Sequence, residues 1–424
     1  MSKLTSNQLE QIALESRSAS RIIAKQNTAT KNAVLKSMAN KIDLAESEIL
    51  QANKKDLQYA KDNQLSDAMI DRLMLDHHRI QEMVVALEEV AELSDPVGEK
   101  TEALIRPNGI RVQQMRIPLG VILMIYESRP NVTVEASALC LKSGNAVIMR
   151  GGSDAFNSNQ ALAECWKKAL VENDLPEQAV TVLESTEREV LDTLLTLDKQ
   201  IDLVIPRGGE GLIRYVVNNS RIPVIQHYKG VCHLYIDKDA DLEMGEDLLI
   251  NGKVSRPGVC NSLETLLVHK DIATSFLPEA AERLSENNVE IRGCDKTVAI
   301  LSKKMQGIKP VTDEDFDAEF LALIIAVKVV DSFDDAIAHI EKYSSDHTEV
   351  IVTENTNTAN HFIQTVNSSV VMVNASSRFS DGGQLGLGAE IGISTSRLHA
   401  YGPMGIQALT TQKFVVCGEG QVRK

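Results

Sequence analysis

Beyond Pro118 the sequence alternates short apolar stretches with amphipathic ones, and no other feature narrows the fold as much. GVILMIYE (120–127), NAVIMRG (145–151), AVTVLES (179–185) and IDLVIPRGG (201–209) read as strands, separated by helical stretches such as TVEASALCLK and AFNSNQALAECWKKALVEN. Apolar strands alternating with helices form a parallel sheet covered on both faces. Ligands of such sheets bind beyond the carboxyl ends of the strands, which puts IYESRPN, MRGGSD and IPRGGE on one functional edge. A second series begins near residue 233, with CHLYID, ETLLVH, LALIIAVKVV, EVIVTEN and SVVMVN as strands and IATSFLPEAAERLSEN among the helices. Two α/β domains are expected, as a length of 424 residues also suggests.

Other kinds of sequence surround this core. Residues 5–95 are rich in Ala, Leu, Glu, Lys and Gln with helical periodicity, which reads as a helical lead-in. LIRPNGIRVQQMRI (104–117) sets Asn-Gly between alternating segments, the signal of a hairpin or protruding ribbon of the kind used for subunit contact. Residues 378–405 are rich in Gly and Ser, as where backbone approaches a ligand or crosses between domains, and IQALTTQKFVVCG reads as a closing strand. With 44 Lys plus Arg against 59 Asp plus Glu, the net charge of −15 argues against general nucleic-acid binding or a polybasic membrane surface. No apolar run approaches the length of a membrane span and the first twenty residues lack the apolar core of a secretory signal, so a cytosolic protein is expected. The six cysteines are scattered singly, without CxxC or HExxH, and the expectation is reduced thiols and no metal.

Cys260 is the first candidate for chemistry. It lies in SRPGVCNSLETLLVH, where Pro257 and Gly258 end a helix and a strand follows. Backbone N–H groups at such a turn lower a thiol pKa and bind an oxyanion, helped by Arg256, although single cysteines are more often small buried hydrophobes. Arg207, Gly208 and Gly209 end a strand just before a helix whose N-terminus suits a phosphate, or form a plain tight turn. Arg150 before Gly151-Gly152 is equally ambiguous. Asn131 reads either as a helix N-cap or as an amide aimed at a substrate. His227, Glu319, His347 and Arg397 look ordinary singly.

Three long segments, PLGVILMIYESRPNVTVEASALCLKSGNAVIMRGG, RPGVCNSLETLLVH and GLGAEIGISTSRLHAYGPMG, occur in an order and at separations that resemble the aldehyde dehydrogenase superfamily over essentially the whole chain. Within it the segments look most like the branch that reduces glutamyl phosphate to glutamate semialdehyde in proline synthesis. The resemblance implies an α/β fold with a Rossmann-type NADP-binding domain (1–99 and 119–230), an α/β catalytic domain (231–395), and a β oligomerisation arm with a C-terminal strand (100–118 and 396–424). It places the catalytic thiol at Cys260 and an oxyanion-binding amide at Asn131. Arg150 falls beside the adenosine ribose and phosphate, which suits NADPH; Arg207, Gly208 and Gly209 fall against the pyrophosphate, and Glu319 at the nicotinamide ribose. Arg397 and Ser396 are candidates for gripping the substrate's amino and carboxylate groups, on the grounds of a Gly/Ser-rich loop beside a cation.

Three departures from the family pattern stand out. Hydrolytic relatives carry a general-base glutamate where this chain reads QHYKG (226–230), so water activation is poorly served and an acyl thioester is left to phosphate and hydride. Tyr401 stands where arginine is common, and Tyr343 where histidine is common. The implied partners are glutamyl phosphate, phosphate, NADP(H) and further copies of the chain in a homodimer or higher even oligomer. Two alternatives stay open: another phosphate- or CoA-dependent acyl reductase or aldehyde dehydrogenase, and a catalytically silent assembly protein of the same fold.

Overall fold

The computed structural model describes residues 4–302 and 304–423. Two compact units emerge, one of Met1–Gln226 with Gly386–Ile393 and Met404–Lys424, the other of His227–Leu385 with Ser394–Pro403.

The first unit opens with five helices, α1 (Ser6–Ile23), α2 (Thr28–Leu44), α3 (Glu46–Asp62), α4 (Asp67–Leu73) and α5 (His77–Glu92). Their starts are written in the sequence: Thr5 and Gln8 form a capping box, and Asn27, Ser66 and Asp76 each accept from a first-turn N–H. β1 (Leu104–Ile105) and β2 (Arg111–Pro118) make the expected hairpin, with Gly109 at φ +85.

Next come β3 (Val121–Tyr126), α6 (Pro130–Lys142), β4 (Ala146–Gly151), α7 (Phe156–Glu172), β5 (Val180–Val182), α8 (Arg188–Leu194), β6 (Leu203–Arg207) and α9 (Glu210–Asn219). The strands run parallel in the order β5-β4-β3-β6. Every residue of β3 is buried, the sheet's two faces being covered by helices. Strand order turns back at β3, so the carboxyl ends of β3 and β6 flank a topological switch point.

The second unit contains β7 (Cys232–Ile236), α10 (Leu242–Val254), β8 (Leu263–His269), α11 (Lys270–Glu286), β9 (Glu290–Gly293), α12 (Asp295–Leu301), β10 (Lys309–Pro310), α13 (Asp313–Phe316), β11 (Ile324–Val330), α14 (Phe333–Tyr343), β12 (Thr348–Val352), α15 (Thr356–Thr365) and β13 (Val370–Val373). All seven strands are parallel, in the order β10-β9-β11-β8-β7-β12-β13. β9 and β10 are additions to the strands expected from sequence; at four and two residues they are too short to show a period.

Two short strands, β14 (Gly392–Ser394) and β15 (Gly402–Met404), accompany the passages of the chain from one unit to the other and back. β16 (Thr410–Cys417) then pairs antiparallel with β2 from Thr410↔Pro118 to Cys417↔Arg111, completing a β1-β2-β16 sheet. The units part at Gln226/His227 instead of 230/231, and the segment expected as one piece from 396 onward is divided. Tyr401 Oη donates to Asn367 O at 2.5 Å, which holds Ser394–Pro403 to the second unit, while Gly405 packs on Leu387 in the first. None of the helices in the described residues is long and apolar enough to cross a membrane.

Candidate active site

Cys260 lies in the turn between α10 and β8, at the amino ends of β7, β8 and β12, the edge opposite to the one that usually carries ligands in such sheets. Several ties fix this turn. The Cys232 thiol donates to Cys260 O at 3.2 Å; burial pushes that thiol's pKa well up, so it stays a donor. Asn261 Nδ2 donates to Ser380 O at 2.9 Å, Ser377 Oγ to Asn261 O at 2.7 Å, and Ser262 Oγ to Gly252 O at 3.2 Å. Gly230 presses directly on the Cys260 backbone, where a Cβ would stand 2.1 Å from Cys260 O.

Folding also assembles something that the linear spacing hid. The Cys260 thiol and ring nitrogens of His227 and His347 lie within 4.8 Å of one another. This is a donor set with metal-ligand character, so the inference of no such cluster, drawn from sequence spacing, holds only along the chain and not in space. His347 precedes β12 and His227 precedes β7, and adjacency of those strands brings the rings to 5.0 Å between centroids. Burial, with a smaller contribution from His227, pushes the His347 pKa down to about 3. That ring is therefore neutral at physiological pH and a weak base, which makes it a poor activator of water.

Sequence reasoning also missed Arg378. Its guanidinium pKa is lowered by burial and by Arg256 and is drawn back up by Cys260, so its charge is coupled to the thiol. Nη1 is buried without a hydrogen bond among the described residues. The criterion that pointed to Arg397, a cation in a Gly/Ser-rich stretch, fits Arg378 equally well, since RFSDGG opens that stretch. Arg397 itself is exposed, with its guanidinium 5.8 Å from the Tyr401 ring, and Ser396 exchanges hydrogen bonds with Ser394 at 3.1 and 3.2 Å. Tyr343 is buried against Phe316 and His339, a core position.

Glu319 accepts from Gly230 N at 3.0 Å and so shares a neighbour with Cys260. Its loop is held by Glu264, which accepts from Leu321 N at 3.3 Å and from Lys253 Nζ at 2.7 Å. Lys253 and Glu264 are both fully buried; burial pushes the carboxyl up to about 7 and the ammonium down, each shift restrained by the other's charge.

In the first unit the three expected loops do emerge together from the carboxyl ends of β3, β4 and β6. Ser128 Oγ donates to Asp154, and Glu127 N to Arg207 O at 3.3 Å, joining the loops. Gly209 is the N-cap of α9, with no side-chain cap and no atom within 4 Å of an added Cβ, which leaves room for an anion. At Gly208 a Cβ would meet Glu127 Oε2 at 2.5 Å, and the same carboxylate accepts from Gly209 N at 3.3 Å. Arg150, the penultimate residue of β4, donates to Thr186 O at 2.6 Å; its pKa is lowered by burial. Asn131 is not the N-cap of α6. Arg129 holds that position and Pro130 takes the first turn, while Asn131 Nδ2 donates to Glu135 Oε1 at 3.0 Å. Burial raises the Glu135 pKa despite that amide.

The profile of the aldehyde dehydrogenase family matches residues 1–300. The gamma-glutamyl phosphate reductase of Salinibacter ruber is 55% identical over 425 residues, covering 100% of this chain and 97% of the relative. A crystal structure of gamma-glutamyl phosphate reductase from Thermotoga maritima superimposes with a TM-score of 0.95 at 46% identity, over 98% of this chain and 100% of that one. An acetylating aldehyde dehydrogenase from Geobacillus thermoglucosidasius shares the fold at TM-score 0.69 and 15% identity, over 99% and 98% of the two chains.

Proposed function

Since the chain belongs to the aldehyde dehydrogenase family, and within it to the gamma-glutamyl phosphate reductases, we propose that it serves proline biosynthesis through a thioester formed on Cys260. The protein is a glutamate-5-semialdehyde dehydrogenase that reduces L-glutamyl 5-phosphate to L-glutamate 5-semialdehyde and phosphate with NADPH. The observation that carries the thioester reading is the Cys260 turn, tied on several sides and coupled to the charge of Arg378.

The Cys260 thiolate attacks the γ-carbonyl carbon, forming a C–S bond, and the oxyanion is held by the Cys260 backbone N–H and the Asn131 amide. The tetrahedral adduct expels phosphate with the electron pair of the C–O bond, and a thioester remains. NADPH, when bound, supplies the hydride that reduces it. The resulting oxyanion collapses with loss of sulfur, releasing the aldehyde and restoring the Cys260 thiolate. Arg150, Arg207 and the Gly208-Gly209 turn at the start of α9 hold the cofactor's phosphates, and Glu319 accepts from its nicotinamide ribose. Arg397 and Ser396 grip the substrate's amino and carboxylate ends.

The first unit thus serves as the NADP-binding domain and the second as the catalytic domain. β1, β2 and β16 form the arm of a homodimer or higher even oligomer, read out as a mass in solution. The enzyme works in the cytoplasm. The reverse assay tests the reaction class: glutamate semialdehyde and NADP are supplied with and without inorganic phosphate. Cofactor reduction is expected only with phosphate; equal turnover without it defeats the phosphorylating mechanism. A folded Cys260→Ala variant with normal reductase activity defeats the nucleophile assignment.

A further inference from the structure

We propose that Cys260, His227 and His347 form a binding site for a soft divalent cation of the zinc class, whose occupation withholds the Cys260 thiolate from substrate. One thiolate and two imidazoles make a donor set that zinc takes tetrahedrally, with the fourth position left to water. The three donor atoms stand within 4.8 Å of one another. Zinc–sulfur and zinc–nitrogen bonds of about 2.3 and 2.0–2.1 Å put tetrahedral donors about 3.3–3.6 Å apart, so a contraction of at most about 1.5 Å closes the site. As the sulfur–metal bond forms, the thiol proton passes to solvent.

His347 supplies the independent observation. The Thr348 hydroxyl donates to Ser380 Oγ at 2.8 Å, so its oxygen accepts from His347 Nδ1–H at 2.6 Å. This fixes the tautomer and leaves the lone pair on Nε2, which is buried without a hydrogen bond among the described residues. A ring whose second nitrogen donates to a fixed acceptor is the arrangement found behind metal-bound histidines. A buried acceptor without a partner is costly, and a cation relieves it. Inhibition by the metal rests on reading Cys260 as the nucleophile; binding of the metal does not.

The test uses the full-length protein, stripped with a chelator and titrated with Co(II), then with Zn(II). A thiolate-to-cobalt charge-transfer band is expected to saturate at one equivalent per chain and to vanish on addition of Zn(II). Reductase activity is lost in step and returns with EDTA. His347→Ala weakens cobalt binding by roughly 100-fold, and Thr348→Val, which keeps the ring and removes the acceptor of its N–H, by roughly 10-fold. Cys417→Ser, which removes the exposed thiol, leaves the titration unchanged. A wild-type protein without the band overturns the site, as do His347→Ala and Thr348→Val variants, folded by circular dichroism, that both titrate like wild type. A missing band beside an inactive Cys260→Ala enzyme removes the metal site and leaves the nucleophile reading standing. A saturated site with full activity removes the inhibition and counts against the nucleophile reading.

Discussion

Gly230→Ala is the sharpest perturbation that the active-site geometry offers. The new Cβ would stand 2.1 Å from Cys260 O and 2.8 Å from both the carbonyl carbon and Cα of Cys260. Bringing the oxygen contact merely to 3.0 Å requires a retreat of 0.9 Å, the difference between 3.0 and 2.1. The yielding atoms are backbone, so no side-chain rotation absorbs the change. Gly230 has no left-handed φ, which makes the cost one of contact alone. Overpacking of this kind costs about 1–3 kcal/mol, and a displacement near 1 Å at the reacting atom lowers turnover by roughly 100-fold. Because Cys232 and Glu319 also touch this junction, the loss is expected in kcat for the forward reaction. Steady-state kinetics and a thermal melt on the same preparation make the assay. Gly258→Ala is the control in the same turn, where the nearest atom to a Cβ is Leu321 O at 4.0 Å, and it should behave like wild type. A Gly230→Ala enzyme with kcat within twofold of wild type refutes the claim that this contact places the thiol.

Three further outcomes follow from the same physics. Glu319→Gln removes a carboxylate acceptor worth about 1.5–3 kcal/mol, so KM for NADPH should rise roughly 10- to 100-fold with a smaller change in kcat; an unchanged KM rejects its ribose role. Glu264→Ala leaves Lys253 buried without its partner and should destabilise by about 3–5 kcal/mol in urea, whereas the Lys253→Met, Glu264→Leu double variant recovers most of that; equal losses in both would show that the charge plays no part. His339 is buried and its pKa is pushed down to about 2, chiefly by burial and then by His233, so below the unfolded value of about 6.5 only the unfolded chain takes the proton. Its stabilisation is full well above pH 6.5 and declines as pH falls toward the folded value, and the wild-type minus His339→Leu difference in unfolding free energy should shrink by about 1.6 kcal/mol in all between pH 6.5 and 5. A difference that does not vary with pH contradicts the assignment.

Much of this architecture is legible in the chain because long apolar strands and capped helices announce themselves locally. β3, β4, β6, β7, β8 and β12 all fall on segments recognisable by their runs of Val, Ile and Leu. The Cys260 turn was legible for the same reason, with Pro257 and Gly258 marking the break after α10. Neighbours of Cys260 were not. His227 and His347 reach it only because β7, β8 and β12 are adjacent with their amino ends aligned, and Arg378 because Ser377 and Ser380 beside it are bonded to Asn261; strand order and such long-range ties carry no periodic signal. Of the two readings of Asn131, the N-cap is ruled out by Pro130, since proline favours the first helical position and hands the cap to Arg129. β9 and β10 lacked the length to be seen.

The pairing of β2 with β16 sets a schedule for synthesis. β2 is complete once residue 118 has been made, and the strand that covers its edge begins at residue 410. At about 5–20 residues per second the ribosome needs roughly 15–60 s to cross that interval. Throughout it, β2 offers unpaired backbone to any other nascent chain, the hazard that edge strands pose. The gene order therefore makes the earliest-made ribbon wait for the last-made strand, and chains interrupted before residue 410 leave the ribosome with an adhesive edge.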